Sequence, residues 1–478
     1  MKKFTVLIIL AALTASQFAC GDTAGPQETT SDTTTAETTQ AETGIVNRLT
    51  PELKAELGLD GYEFNVLLRQ EGFDWSLHDM TAEEENGEAL NDAVYARNRW
   101  LEENCGFRIK VGYSSDTQIG EMRTIISAGD TTYDAFFPSA RYGASAAQEG
   151  LLYDLNELRY IDFDSGWNRM LLGSLEIDNK LFYASGAIST NSYDGVRMLF
   201  FNKTLNEKYK LDDPYQLVRE GKWTLDNFNA MAVKTSTDLN GDSKMTVDDQ
   251  YGLTCQDALG GTTFYYGCGE RLTENDKNGK PVITVGSERS TAVYNRIRDM
   301  ISDKDTCYQG NGAEVMQMFY EGHSLFFSEV LDCAKRMRPY DIDFGILPLP
   351  KYDEAQTEYV QFVDGFCLSP VVVAKNAATP ERTGWILQAI AEASKEMLVD
   401  TYYDLVLTGK ALRDDESAEM LDIVVNNFVL DNCDLYSWSG LWNQIKTSMN
   451  DGGELSSLVA ANRDALEAAI KKTLENIG

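Results

Sequence analysis

Histidine is nearly missing: the 478 residues hold two, His78 and His323, far apart in the chain. A multi-histidine metal site, or a serine or cysteine nucleophile relayed through histidine, would rest on one lone imidazole, which counts against the common hydrolase plans. Basic residues are also short. Lys+Arg 42 against Asp+Glu 75 gives a net charge of -33, a field that repels phosphate backbones and all but excludes nucleic acid as a partner. No apolar run approaches the ~18 to 20 residues of a spanning helix, yet a hydrophobic content of 43% is too high for a disordered chain. There is no CxxC spacing to suggest zinc or a thioredoxin-type site, no nucleophile elbow, Walker A or Rossmann fingerprint, and no short-period repeat. At ~100 to 200 residues per domain the length suggests two or three domains.

The first residues are an address. Lys2 and Lys3 precede the apolar stretch Phe4 to Leu13, and small or polar residues lead to Ala19-Cys20-Gly21, the pattern of a secretory signal over residues 1–19. Ala19-Cys20 resembles the end of a bacterial lipobox, although Gln17 and Phe18 depart from its aliphatic-then-small pattern. Cys20 is therefore the candidate for lipidation (palmitate), with plain cleavage as the alternative. Residues 20–54 read as a disordered tether, since Thr, Glu, Ala and Gln dominate and large aliphatics such as Ile45 and Val46 are few in the stretch from Asp22 to Thr50. The expected location is the outer face of the cell membrane, held by a lipid anchor.

Seven further cysteines cannot all pair within one chain. Cys105, Cys333 and Cys367 lie beside Phe107, Leu331 and Phe366, where a thiol is a small core residue. Cys255 and Cys268 flank a short loop and are either a disulfide or two reduced thiols.

Along the body, Phe64 to Leu68 reads as a buried first strand, Ala89 to Leu101 as an amphipathic helix and Phe107 to Val111 as a second strand. Ile119 to Ile126 has helical spacing with Gly129 placed to cap it, and Tyr133 to Pro138 is a third strand. Strands alternating with helices imply a mainly parallel α/β sheet. A second lobe repeats the style, with strands at Met198 to Phe201, Tyr251 to Thr254, Phe344 to Pro350 and Gly365 to Val373, and a helix opened by Thr224 as N-cap. Trp385 to Met397 and Met420 to Val429 carry helical stripes, and Trp223 and Trp385 are assigned to the core.

Three stretches together resemble the family 1 extracellular solute-binding proteins, the maltose-binding-protein-like receptors of ABC importers. They are Tyr133-Asp134-Ala135-Phe136-Phe137 with Glu149-Gly150-Leu151-Leu152; Lys180-Leu181-Phe182-Tyr183-Ala184 running through Phe201-Asn202-Lys203 to Trp223-Thr224; and Gly345-Ile346-Leu347-Pro348-Leu349-Pro350-Lys351 with Gly365-Phe366-Cys367-Leu368. The resemblance implies an α/β fold of two discontinuous lobes that close on ligand like a hinge. One lobe is expected at 55–187 plus 364–400, the other at 188–363 plus 401–478 with a helical C-terminal region. It also implies a binding role with no catalytic residues, a small solute (carbohydrate favoured), permease subunits as partners, and a monomer.

Sugars pair flat CH faces with hydroxyl fringes, so their sites combine aromatic rings with planar polar groups. Candidates at strand ends are Gln70, Glu71, Trp75, Arg141, Tyr142, Tyr193, Asp194, Tyr265, Tyr266, Phe327, Ser328, Glu329, Asp364 and Trp438. The competing readings are a surface carbohydrate-active enzyme using two carboxylates, and an adhesion or sensor module on the same fold. Finally, Asp238, Asn240, Asp242, Lys244, Thr246 and Asp249 fall at EF-hand ligand spacing and suggest a structural calcium loop, although Ser243 replaces the usual Gly and Asp249 the usual Glu.

Overall fold

The run Glu63-Phe64-Asn65-Val66-Leu67-Leu68 forms β1, and the computed structural model, which describes residues 44–257, 259–407 and 415–478, places it at the centre of a three-stranded sheet. β2 (Arg108–Tyr113) and β3 (Ala135–Phe137) flank it, both parallel, with Val66 opposite Val111 on one side and Ala135 on the other. A strand paired on both edges and covered on both faces must be apolar almost throughout, which is why β1 reads as a run rather than an alternation. The helix Ala89–Cys105 carries the crossover and stops at Gly106, whose φ of 92° suits glycine. Gly129 closes the next helix, Met122–Ser127, by donating to the Ile126 carbonyl at 3.0 Å.

The second sheet is mixed. It contains β4 (Val196–Asn202), β5 (Tyr251–Gln256) and, after a small hairpin of β6 (Thr273–Asn275) and β7 (Pro281–Ile283), β8 (Cys307–Gly310), β9 (Ser324–Val330), β10 (Phe344–Leu347), β11 (Gln361–Val363) and β12 (Phe428–Val429). The order is β12-β11-β4-β9-β5-β8 with β10 also on β4. β5 runs parallel to β8 and β9, whereas β4 is antiparallel to β9, β10 and β11. The expectation of a mainly parallel sheet therefore holds only in part. β4 enters from the other sheet rather than through a βαβ crossover, so nothing forces it parallel to its neighbours. Phe200, Phe319, Phe327 and Phe344 pack together on this sheet. Trp223 and Trp385 are fully buried, as their contexts suggest.

Four boundaries differ from the sequence reading. β10 ends at Leu347 because Pro348 and Pro350 have no N–H to give to a ladder. Gly365 to Val373 is not a strand: Asp364 folds the chain into a turn, accepting from the Phe366 and Cys367 amides, and the following residues meet the first sheet only through single bridges such as Phe136 with Val372. The helical stripe at Met420 ends at Asn426, and Phe428-Val429 becomes β12 by pairing with β11. Residues 44–54, read from sequence as part of the tether, carry the helix Gly44–Asn47 and the start of the helix Pro51–Leu57. Ile45 is buried beneath the helix Pro380–Met397, its amide donating to Glu392 Oε2 at 2.7 Å, and Thr50 caps the helix Pro51–Leu57. A few aliphatics, among them Ile45, Leu49 and Leu57, and one cap suffice because the partner face already exists.

The chain passes between the sheets three times: after Ala184, between Val363 and Val371, and between the helix Pro380–Met397 and β12. At the first crossing a Cβ on Gly195 would stand 2.8 Å from the Cys367 Cβ, so glycine lets the two crossing segments touch. The C-terminal helix Leu455–Ile477 lies along elements that follow β3, with Gln148 Nε2 donating to Thr473 Oγ1 at 3.0 Å. Among the described residues no helix is long and apolar enough to cross a membrane.

Candidate functional site

Three charged side chains from distant parts of the chain meet at the crossings. Ser139 ends the segment after β3 and caps the helix Ala140–Gln148, whose first turn projects Arg141. Its guanidinium donates to Asp364 Oδ2 at 2.9 Å, just beyond β11, and to both oxygens of Asp434 at 3.0 and 3.1 Å, in the short helix Asn432–Leu435 after β12. Burial works against the Arg141 charge, but the pull of Asp434 and Asp364 outweighs it and raises the guanidinium pKa. Two carboxylates share this one cation. Asp434, the more deeply buried, is pushed up to about 7, by burial first and by the neighbouring Asp364 charge against the opposing effect of Arg141.

A second pair lies inside the other sheet. Arg197 of β4 and Glu329 of β9 are both almost fully buried and meet at 3.2 Å, and Arg197 Nη2 also donates to Gln256 of β5 at 2.8 Å. Among the described residues Arg197 Nε and Glu329 Oε2 have no hydrogen-bond partner, nor do Ser328 Oγ, the Tyr266 hydroxyl or Trp442 Nε1. Lys446, on the helix Leu441–Asn450, stands within electrostatic reach of both clusters; burial lowers its pKa, with Asp364 the strongest opposing influence. Beside the charges Tyr266 stacks on Phe362 with centroids 4.6 Å apart, and Trp442 leans on both rings.

Of the residues singled out from sequence, Arg141, Asp364 and Glu329 stand in these clusters, with Ser328 and Tyr266 adjacent. The remaining nine are placed elsewhere or differently. Gln70 and Glu71 are exposed after β1, while Trp75 is half-buried with its carbonyl accepting from Ser369 Oγ at 2.8 Å. That loop is clamped by buried Arg69, which donates to the carbonyls of Thr117 and Phe366. Tyr142 lies under the Arg123 guanidinium and donates to the Gly120 carbonyl. Tyr193 packs edge-on to Tyr402 and Phe428 in the core, and Asp194 is buried with Lys335 at 2.7 Å and the Tyr402 hydroxyl at 2.8 Å. Tyr265 donates to Ser290, Phe327 belongs to the phenylalanine cluster, and Trp438 is buried with its N–H on Thr473. The Tyr193 ring is covered by its neighbours, and the polar tips of Tyr142, Tyr265 and Trp438 have internal partners.

Arg197, Asp434, Gln256, Lys446 and Trp442 were not singled out. For Arg197 a signal existed: a lone cation in the apolar run Val196-Arg197-Met198-Leu199-Phe200-Phe201 must be paired, because an unpaired buried charge is too costly.

The cysteines and the acidic loop also depart from what their spacing suggests. Cys255 and Cys268 are not bonded; all seven described cysteines are thiols, and the sulfur facing Cys255 is that of Cys307, at 3.9 Å. The helix Gly260–Gly267 carries Cys268 to its far end, about 12 Å along the axis at ~1.5 Å per residue. In the loop 238–249 the carboxylates accept from the loop's own amides: Asp238 from Gly241 and Ser243, Asp249 from Leu239 and Thr246. Among the described residues no three His, Cys, Asp or Glu side chains converge on one point. Cys20 lies outside the described residues.

A family profile described as "Bacterial extracellular solute-binding protein" matches residues 81–392, well over half of the chain. The chain belongs to this family. Membership makes it an exported binding protein rather than a member of an enzyme family. Among solved structures, a cyclo/maltodextrin-binding protein complexed with maltotetraose is similar at 13% identity and a TM-score of 0.54, over 87% of this chain and 97% of that one. An ABC substrate-binding protein from Listeria monocytogenes in complex with cycloalternan is similar at 13% identity and a TM-score of 0.50, over 88% of this chain and 100% of that one. At such identity the likeness establishes the two-lobed α/β fold. No curated protein sequence matches the chain.

Proposed function

We propose that the protein is the solute receptor of an ABC importer, and that its solute is a mono- or oligosaccharide held where Arg141, Arg197, Glu329, Asp364 and Asp434 converge. The observation that carries this reading is the local charge balance. In a molecule of net charge -33, the basic side chains Arg141, Arg197 and Lys446 here equal in number the acidic Glu329, Asp364 and Asp434. A balanced set of planar donors and acceptors suits hydroxyls, each of which both donates and accepts, better than it suits an ion of either sign. The tier Tyr266, Phe362 and Trp442 adds the aromatic component that sugar rings use. The sugar complexes of the two similar structures agree with this reading. Lipidation of Cys20, docking on permease subunits and calcium at 238–249 complete the proposal.

Titration calorimetry against neutral sugars, short peptides and polyamines tests it. The expected outcome is binding of a neutral saccharide, recovered unchanged on chromatography, with affinity at least tenfold weaker in Arg141→Ala. Binding only to peptides or cations, or conversion of the sugar, overturns the reading.

A further inference from the structure

Cys255 sits near the end of β5 and Cys307 at the start of β8, the edge strand beside it. The register sets Cys307 opposite Leu253 and Cys255 opposite Gln309, so the two thiols are diagonal neighbours on one face, and their sulfurs lie 3.9 Å apart. The fold makes room for this pair. A Cβ on residue 260 would collide with the Cys255 sulfur, and Gly260 stands there. Cys255 is fully enclosed, but Cys307 lines a cavity of about 410 Å³ together with Tyr251, Lys304 and Tyr308. One member of the pair thus borders a cavity while the other lies behind it. The family is extracellular, and outside the cell disulfides persist once formed.

We propose that Cys255 and Cys307 are an oxidisable dithiol which a small-molecule disulfide closes into a bond between β5 and β8. The Cys307 thiolate attacks one sulfur of the reagent, RSSR, and the first RS⁻ leaves and takes up a proton. Cys255, losing its own proton, then attacks Cys307 Sγ and expels the second RS⁻, which is protonated as the second RSH. Two protein thiols are oxidised and one external disulfide is reduced to two thiols. The contact with Cys255 and burial both raise the Cys307 pKa, so exchange in the folded protein is slow, over hours rather than seconds. The bond would close a loop across residues 255–307 and brace the strand end that carries Gln256, the partner of Arg197.

The test is peptide mapping of the mature exported protein after incubation with oxidised glutathione, with alkylation and digestion but no reduction. The expected result is one linked pair of peptides carrying Cys255 and Cys307, two hydrogens lighter than the separate thiol peptides together, and still formed in Cys268→Ser. The oxidised protein should also melt a few degrees above the reduced one, a difference that Cys255→Ser abolishes. Full alkylation of both thiols, glutathione retained on Cys307, or a link from either residue to Cys268 overturns the proposal. The wild-type map alone decides the matter if Cys255→Ser does not fold.

Discussion

The crossing cluster and the loop 238–249 use the same side chains in opposite ways. At the crossings Asp364, Asp434 and Glu329 face arginines that lie far from them in sequence, as in the pair Arg141 and Asp434, 293 positions apart, and all three carboxylates are buried. In the loop Asp238 and Asp249 turn onto amides no more than ten positions away, and most of the segment is exposed. A local arrangement can be read from spacing, since a turn needs only its own residues. It is also cheap to lose, because water replaces each partner. A non-local arrangement leaves no spacing to read, and its loss strands a charge in the interior.

The largest expected effect follows from that contrast. Arg197→Met removes the cation while leaving Glu329 buried, and should cost about 3 to 5 kcal/mol in denaturant unfolding. The double variant Arg197→Met, Glu329→Met should recover most of this loss, because two apolar groups can replace a buried pair nearly neutrally. A single variant as stable as the parent would show that water reaches Glu329 and that the two regions differ less than their burial implies.

Next in size is the pH dependence of Asp434. In the folded state its carboxyl holds a proton up to about pH 7, against ~3.9 when unfolded, so between these values the native state binds the extra proton. The contribution is therefore fully present below pH ~4 and is lost as pH rises through about 7, a difference of roughly 2 to 4 kcal/mol. Asp434→Asn keeps an oxygen for Arg141 but removes the titration. Unfolding midpoints from pH 4.5 to 8 should thus decline less with rising pH in the variant than in the parent. Parallel curves would mean that Asp434 is ionised throughout.

What the sequence made legible follows the same division. β1, the Gly129 stop and the Thr224 cap depend on residues within a turn or two of each other, and each was readable. Arg141 and Asp364 were found as polar residues after strands, but their partner Asp434 was not, because nothing near Asn432-Cys433-Asp434 announces an arginine from the other sheet. Trp438 and Tyr193 were misjudged for a related reason. An aromatic in a loop looks available until the helix Leu455–Ile477 or Tyr402 covers it. Cys255 pairs across strands with Cys307 rather than across the nearer loop with Cys268, again a matter of register and not of spacing.

The smallest expected effect belongs to the loop 238–249. Calcium there would have to draw Asp238 and Asp249 away from amides they already satisfy, so affinity should fall in the weak extracellular range of ~10⁻⁴ to 10⁻³ M. At about 1 mM calcium, mass action then supplies roughly 0.4 to 1.4 kcal/mol, which in a body of this size moves the melting temperature by only about half a degree to two degrees. Asp238→Ala should abolish that shift while itself costing under about 1 kcal/mol, since it removes two exposed acceptors whose amides can turn to water. Differential scanning calorimetry with calcium and then with excess chelator measures both. A shift of many degrees would place the loop among the elements on which the fold depends, as the crossing cluster is. No shift at all would leave residues 238–249 as a turn held by its own backbone.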